Sequence, residues 1–85
     1  MSFDCLVFKE GQTPFIEQVK SDIGSFEIED KSRSVYEVFS ITRIEEIEQS
    51  TGKLALFIVA NKARVSREKI AEEIKLRKPR PVKYF

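Results

Sequence analysis

Along its first residues the chain is apolar on both faces of an extended segment, with Phe3, Cys5 and Val7 on one and Leu6 and Phe8 on the other. A run so short, rich in β-branched and aromatic residues and followed by Gly11, reads as a buried strand over residues 3–9. In QTPFIEQVKSDIGS the period changes. Thr13 is a good N-cap and Pro14 stands where a first-turn proline sacrifices no hydrogen bond. Phe15, Ile16, Val19 and Ile23 recur at helical spacing up to Gly24, a suitable C-cap. The pattern predicts an amphipathic helix between Thr13 and Gly24.

Strand periodicity then returns. Phe26 and Ile28 alternate with Glu27 and Glu29, which describes a strand with one wet face. Asp30–Ser34 turns the chain, and Val35 to about Ile44 comes back as the second arm of a hairpin. In EEIEQSTGK, Ile44 and Ile47 lie three apart, which suits a bulged strand end as well as a single helical turn. Thr51-Gly52 marks a turn, and LALFIVANK follows as a strand apolar on both faces. Ser66 then caps a helix whose Val65 and Ile70 occupy hydrophobic-staple positions. Its stripe is Ile70, Ala71 and Ile74, and Pro79 stops it. In the closing RKPRPVKYF the prolines favour an extended chain. Val82–Phe85 are expected to dock on the sheet face or along an edge, while Arg77, Lys78 and Arg80 stay in solvent.

These elements predict one α+β domain spanning 1–85, in the order β-α-β-β-β-α with an optional short C-terminal strand. Short connections make the sheet mainly antiparallel, and two helices on one face make a two-layer sandwich. In element order alone the layout is similar to one half of a TATA-binding protein and to ferredoxin-like folds; no motif is shared, so no function follows.

Composition narrows the chemistry. With 41% apolar and 34% charged residues the chain has the balance of a globular domain. A single cysteine allows no internal disulfide or thiol metal cage and fits a reducing compartment. The opening MSFDCLVFKEG lacks the basic start of a signal peptide, and the longest apolar run, Leu54–Ala60, is too short to span a bilayer. The expected location is the cytoplasm, with no membrane partner. The chain has no histidine, which removes Ser-His-Asp, Cys-His and histidine-metal arrangements. Cys5 sits mid-strand as a small hydrophobe. Glu27 with Glu29, and Glu45, Glu46 and Glu48, read as solvated faces without the spacing of a calcium loop. Gly11, Gly24 and Gly52 form no phosphate loop, and STGKL reads as a hairpin turn. No catalytic, cofactor-binding or metal-ligating residue is expected, no cofactor, and no enzyme.

Two binding surfaces are left. Residues 61–85 hold nine Lys/Arg against three Glu, a net +6, so the first 60 residues carry −5 in a chain of net +1. Lys62, Arg64, Arg67, Lys69, Arg77, Lys78 and Arg80 are therefore candidates for an anionic partner, with sequence-independent nucleic-acid binding as one reading. Tyr84 and Phe85 are available to stack on bases. Interleaving of these cations with acids after folding is the bland alternative. The second surface is the sheet face that two helices leave bare, where Tyr36, Val38, Phe57, Val59, Val82, Tyr84 and Phe85 would be covered by the tail, by a protein partner or by a second copy. A non-catalytic protein-interaction or self-assembly module is the leading expectation.

Overall fold

The computed structural model describes residues 1–85. Its elements are β1 (Phe3–Phe8), β2 (Phe15–Val19), β3 (Ser25–Asp30), β4 (Val35–Ser40), β5 (Thr42–Glu48), β6 (Lys53–Asn61), α1 (Arg67–Arg77) and β7 (Lys83–Tyr84). There is one helix, not two, and the order is six strands, a helix and a short strand. The two-helix sandwich, and with it the likeness in element order, does not hold.

The helix expected between Thr13 and Gly24 is the strand β2. Phe15 and Val19 are four apart, and four is an even number, so they share a face of a strand as well as a face of a helix. What decides between the two is the neighbour. The turn through Gly11, at φ 74°, returns the chain onto β1 in antiparallel register from Phe3↔Val19 to Val7↔Phe15. Pro14 then precedes an edge strand, where a missing N–H costs nothing. The ambiguous Glu45–Glu48 stretch is strand, bonded from Thr42↔Val59 to Glu48↔Lys53.

The main sheet runs β2-β1-β6-β5, with β1 and β6 parallel and the other pairs antiparallel. On one face α1 packs Ile70 and Ile74 against Leu6, Phe8, Ala55, Phe57 and Val59. The opposite face is covered by the chain itself. Hairpin β3–β4 forms a separate two-stranded ribbon whose Phe39 joins Cys5, Val7, Val19, Ile58 and Ala60 in a second core, with Phe26 and Ile28 packed alongside. The ribbon is continuous with the sheet: after Ser40 the chain bends at Ile41 and continues as β5, a strand that switches layers. The molecule therefore has three layers, helix, sheet and ribbon. The second sheet face needs no foreign cover because the return strand supplies one.

The C-terminal segment lies beside β6 on the side that β1 uses farther along. The Val82 amide donates to Leu56 O at 2.7 Å and the Phe85 amide to Leu54 O at 3.0 Å. The docking is carried mainly by the backbone. Val82 reaches the second core, but Tyr84 and Phe85 stay 47% and 60% exposed. Arg80 is anchored at the N-terminal strand, its amide 2.8 Å from a carboxylate oxygen of Asp4.

The helix begins as its sequence predicts. Ser66 Oγ accepts from the Lys69 amide at 3.2 Å, and Lys78, in left-handed conformation, closes the other end by donating to Ile74 O. Ser66→Ala is expected to cost about 1 kcal/mol, measured by urea unfolding; an unchanged midpoint would show that the cap carries no stability.

Candidate binding surface

The basic residues of the C-terminal third do not form a free patch. Lys62 Nζ lies 2.9 Å from Glu37, Arg67 2.8 Å from Glu46, Lys69 3.2 Å and Arg77 2.6 Å from Glu73, and Arg80 3.2 Å from Asp4. Of the seven cations picked from sequence, only Arg64 and Lys78 have no such carboxylate neighbour. The acidic body and the basic third are interleaved in space. Glu73 is almost buried, and Arg77 first, then Lys69, hold its carboxyl below the usual glutamate range against the cost of burial.

Two of these cations secure the architecture. Lys62, just past β6, donates to Val38 O at 3.0 Å and stands 4.8 Å from the centre of the Phe39 ring. Together with Lys9, 2.7 Å from Glu37, it clamps the ribbon to the sheet. Their hydrogen bonds hold Glu37 below the ordinary glutamate range. Arg67 reaches back to Glu45 O at 2.6 Å, which places a guanidinium on the outer edge of β5. A cationic side chain on an exposed strand carbonyl blocks pairing with another strand.

The apolar residues picked from sequence are dispersed. Phe57 and Val59 lie beneath α1, 2% and 0% exposed, and take no part in any surface. Val82 is half-buried, Tyr84 stands on β7 and Phe85 just after it, both exposed. Tyr36 and Val38 are different. They alternate on β4 with Glu37 and Phe39, so when Phe39 turns to the core they turn outward, 64% and 52% exposed.

The hydrogen-bond phase of the ribbon fixes the remainder of this surface. Ile41 N–H donates to Gly24 O at 2.8 Å, and Val38 O points to Lys62 rather than to β3. In an antiparallel ladder bonded and unbonded pairs alternate. Phe26–Phe39 and Ile28–Glu37 are therefore the bonded pairs, while Glu27–Val38 and Glu29–Tyr36 are unbonded. Two consequences follow. Glu27 and Glu29 share the outer face with Val38 and Tyr36, and their own backbone N–H and C=O groups point to the free edge of β3. Neither carboxylate has an ion-pair partner within the chain. In sequence Glu27 and Glu29 read as a wet face and Tyr36 and Val38 as part of another; only the pairing register of the ribbon puts the four side chains on one surface.

Beside this edge lies a groove of about 480 Å³ bordered by Phe15 of β2, Ile28 and Asp30 of β3, Phe39, and Lys9. A smaller cleft of about 230 Å³ lies at the end of α1, over Phe57, Ile74 and Pro79 with Lys75 and Lys78 at its rim. Cys5 is fully buried and its thiol is pushed up to about 12, by burial first and by Glu17 second, so no thiolate nucleophile exists near neutrality. No group of three or more Cys, Asp and Glu side chains is placed to hold a metal ion. No helix is long and apolar enough to cross a membrane.

No protein-family model, curated protein or solved structure matches this chain.

Proposed function

We propose that this protein is a non-catalytic interaction module that docks a protein partner on the outer surface of the β3–β4 ribbon. The observation carrying the reading is the exposure of Tyr36 and Val38, side by side on one face, opposite two carboxylates with no internal partner. Tyrosine beside an aliphatic residue gives a rigid anchor of the kind that dominates binding energy, and the free acids select against wrong partners. The expected second sheet face does not serve, because the ribbon itself occupies it. The reading is supported also by the partial pairing of the basic third, in which Lys62, Arg67 and Arg80 meet acids of the first 60 residues.

The test is a selection of displayed peptides or small domains against the whole immobilised protein, followed by affinity measurement on variants. Tyr36→Ala is expected to weaken the selected binders about tenfold or more, whereas Leu76→Ala, an equally exposed residue on α1, leaves them unchanged. Binders indifferent to both Tyr36 and Val38 would refute the assignment.

A further inference from the structure

The free edges of the molecule are not equivalent. Arg67 occupies the edge of β5 and Lys62 that of β4, each by a hydrogen bond to a strand carbonyl. Nothing similar sits on β3. Its outward N–H and C=O groups, at Ser25, Glu27 and Glu29, have no side-chain partner, and the strand has no lysine, proline or bulge; the only charges that guard this edge are its acids, Glu27, Glu29 and Asp30. A groove opens beside it, with Phe15, Ile28 and Phe39 on walls that are otherwise polar and charged, Lys9 and Lys31 among them.

We propose that β3 is a strand-addition site and that its ligand is an extended segment in which basic and apolar residues alternate. This rests on the ribbon being the binding surface and names what binds there. Residues of an added strand that exchange hydrogen bonds with Glu27 and Glu29 stand directly opposite them, on the same face of the ribbon. Lysine or arginine there meets carboxylates that nothing in the chain neutralises. The residue between them, opposite Ile28, points inward to the groove, where an apolar side chain meets Ile28 and Phe15. The neighbouring charges at the tip, Lys31 and Arg33, lie beyond the strand and leave the two glutamates unpaired.

A second copy is the other natural occupant of an open edge, and the sequence of β3 disfavours it. Antiparallel self-pairing centred on Glu27 sets Glu27 against Glu27 and Ser25 against Glu29. Centring on Ile28 sets Glu27 against Glu29 twice. Like charges directly opposite are unfavourable, and no basic residue lies in β3 to offset them.

The probe is a blocked nonapeptide of alternating lysine and valine, with a glutamate–valine counterpart and a copy N-methylated at alternate residues. With the lysine peptide at about ten times its Kd, amide exchange at Glu27 and Glu29 slows about tenfold. N-methylation on the pairing edge abolishes the protection while keeping every charge. Glu27→Lys with Glu29→Lys weakens the lysine peptide about tenfold and restores binding of the glutamate peptide. Equal binding of the N-methylated copy, or protection confined to other strands, overturns strand addition. Absence of binding by any of these peptides also overturns it, and if selected partners still require Tyr36 the ribbon remains the interaction surface. Concentration-dependent protection of the same amides without peptide would assign the edge to a second copy instead.

Discussion

Replacing Phe39 with alanine is expected to destabilise the domain by about 3–5 kcal/mol. Its ring is 2% exposed, lies 5.4 Å from that of Phe26, and is the ribbon's one fully buried side chain in the second core. Truncation leaves a cavity between layers and removes the surface on which Lys62 stands. For a domain of this size a loss of that order is a large share of the total, since stabilities of about 5–15 kcal/mol are usual. The comparison is with Tyr36→Ala, three residues earlier on the same strand but facing solvent, which should lie within about 0.5 kcal/mol of wild type. Urea unfolding of the two variants measures both. Equal effects would mean that the ribbon does not pack on the sheet.

The second large effect concerns the tie between the two ends of the chain. Asp4, 9% exposed, accepts from Gln18 Nε2 at 2.6 Å, from the Arg80 amide at 2.8 Å and from the Arg80 guanidinium at 3.2 Å. Asp4→Ala leaves these donors without their acceptor and is expected to cost about 2–3 kcal/mol. It also frees the segment that carries β7. The amides of Val82 and Phe85, bonded to Leu56 and Leu54, should then exchange much faster, while those of β1 paired to β6 keep their protection.

The same carboxylate makes the tie sensitive to acid. Burial raises its pKa, but the Arg80 amide, the Arg80 guanidinium and Gln18 together outweigh burial and bring it below the ordinary aspartate value. A carboxylate with a depressed folded-state pKa contributes fully above its unfolded pKa, and the contribution fades as pH falls through the folded value. The stability difference between wild type and Asp4→Asn should therefore be constant near neutrality and shrink below about pH 4. Asp30, Glu37, Glu48 and Glu73 are shifted in the same direction but are common to both proteins, so the difference isolates Asp4. A difference that grows on acidification would contradict the assignment.

How much of this was legible in the chain depends on whether the deciding contact was local. Ser66, Val65 and Ile70 announce α1 through residues within one turn of each other, and the helix begins there. The apolar runs at Phe3–Phe8 and Leu54–Ala60 form the two central strands, because a run apolar on both faces has to be covered on both. Between Thr13 and Gly24 local signals pointed to a helix. The spacing of Phe15 and Val19 fits both periods, and pairing with β1 made the choice. The bend at Ile41 left no sequence mark, so the return strand looked like one element of one sheet. That single bend moves Phe26 and Phe39 onto the second face and turns Tyr36 and Val38 outward. The candidate surface was half visible: its apolar residues were noted, but without the layer switch they belonged to the wrong face. The pairing within the basic third was not legible for a related reason, since Glu37, Glu46 and Asp4 reach its cations only through tertiary contact.

Residue-resolved amide exchange along β3 at two protein concentrations tests the central claim, a ribbon docked through Phe39 with its β3 edge open. The predicted pattern is alternation: slow exchange at Phe26 and Ile28, whose N–H groups bond β4, and fast exchange at Glu27 and Glu29, unchanged on dilution. Uniform fast exchange along β3 would show that the ribbon is not formed, and uniform slow exchange that falls on dilution would show that the edge is already paired.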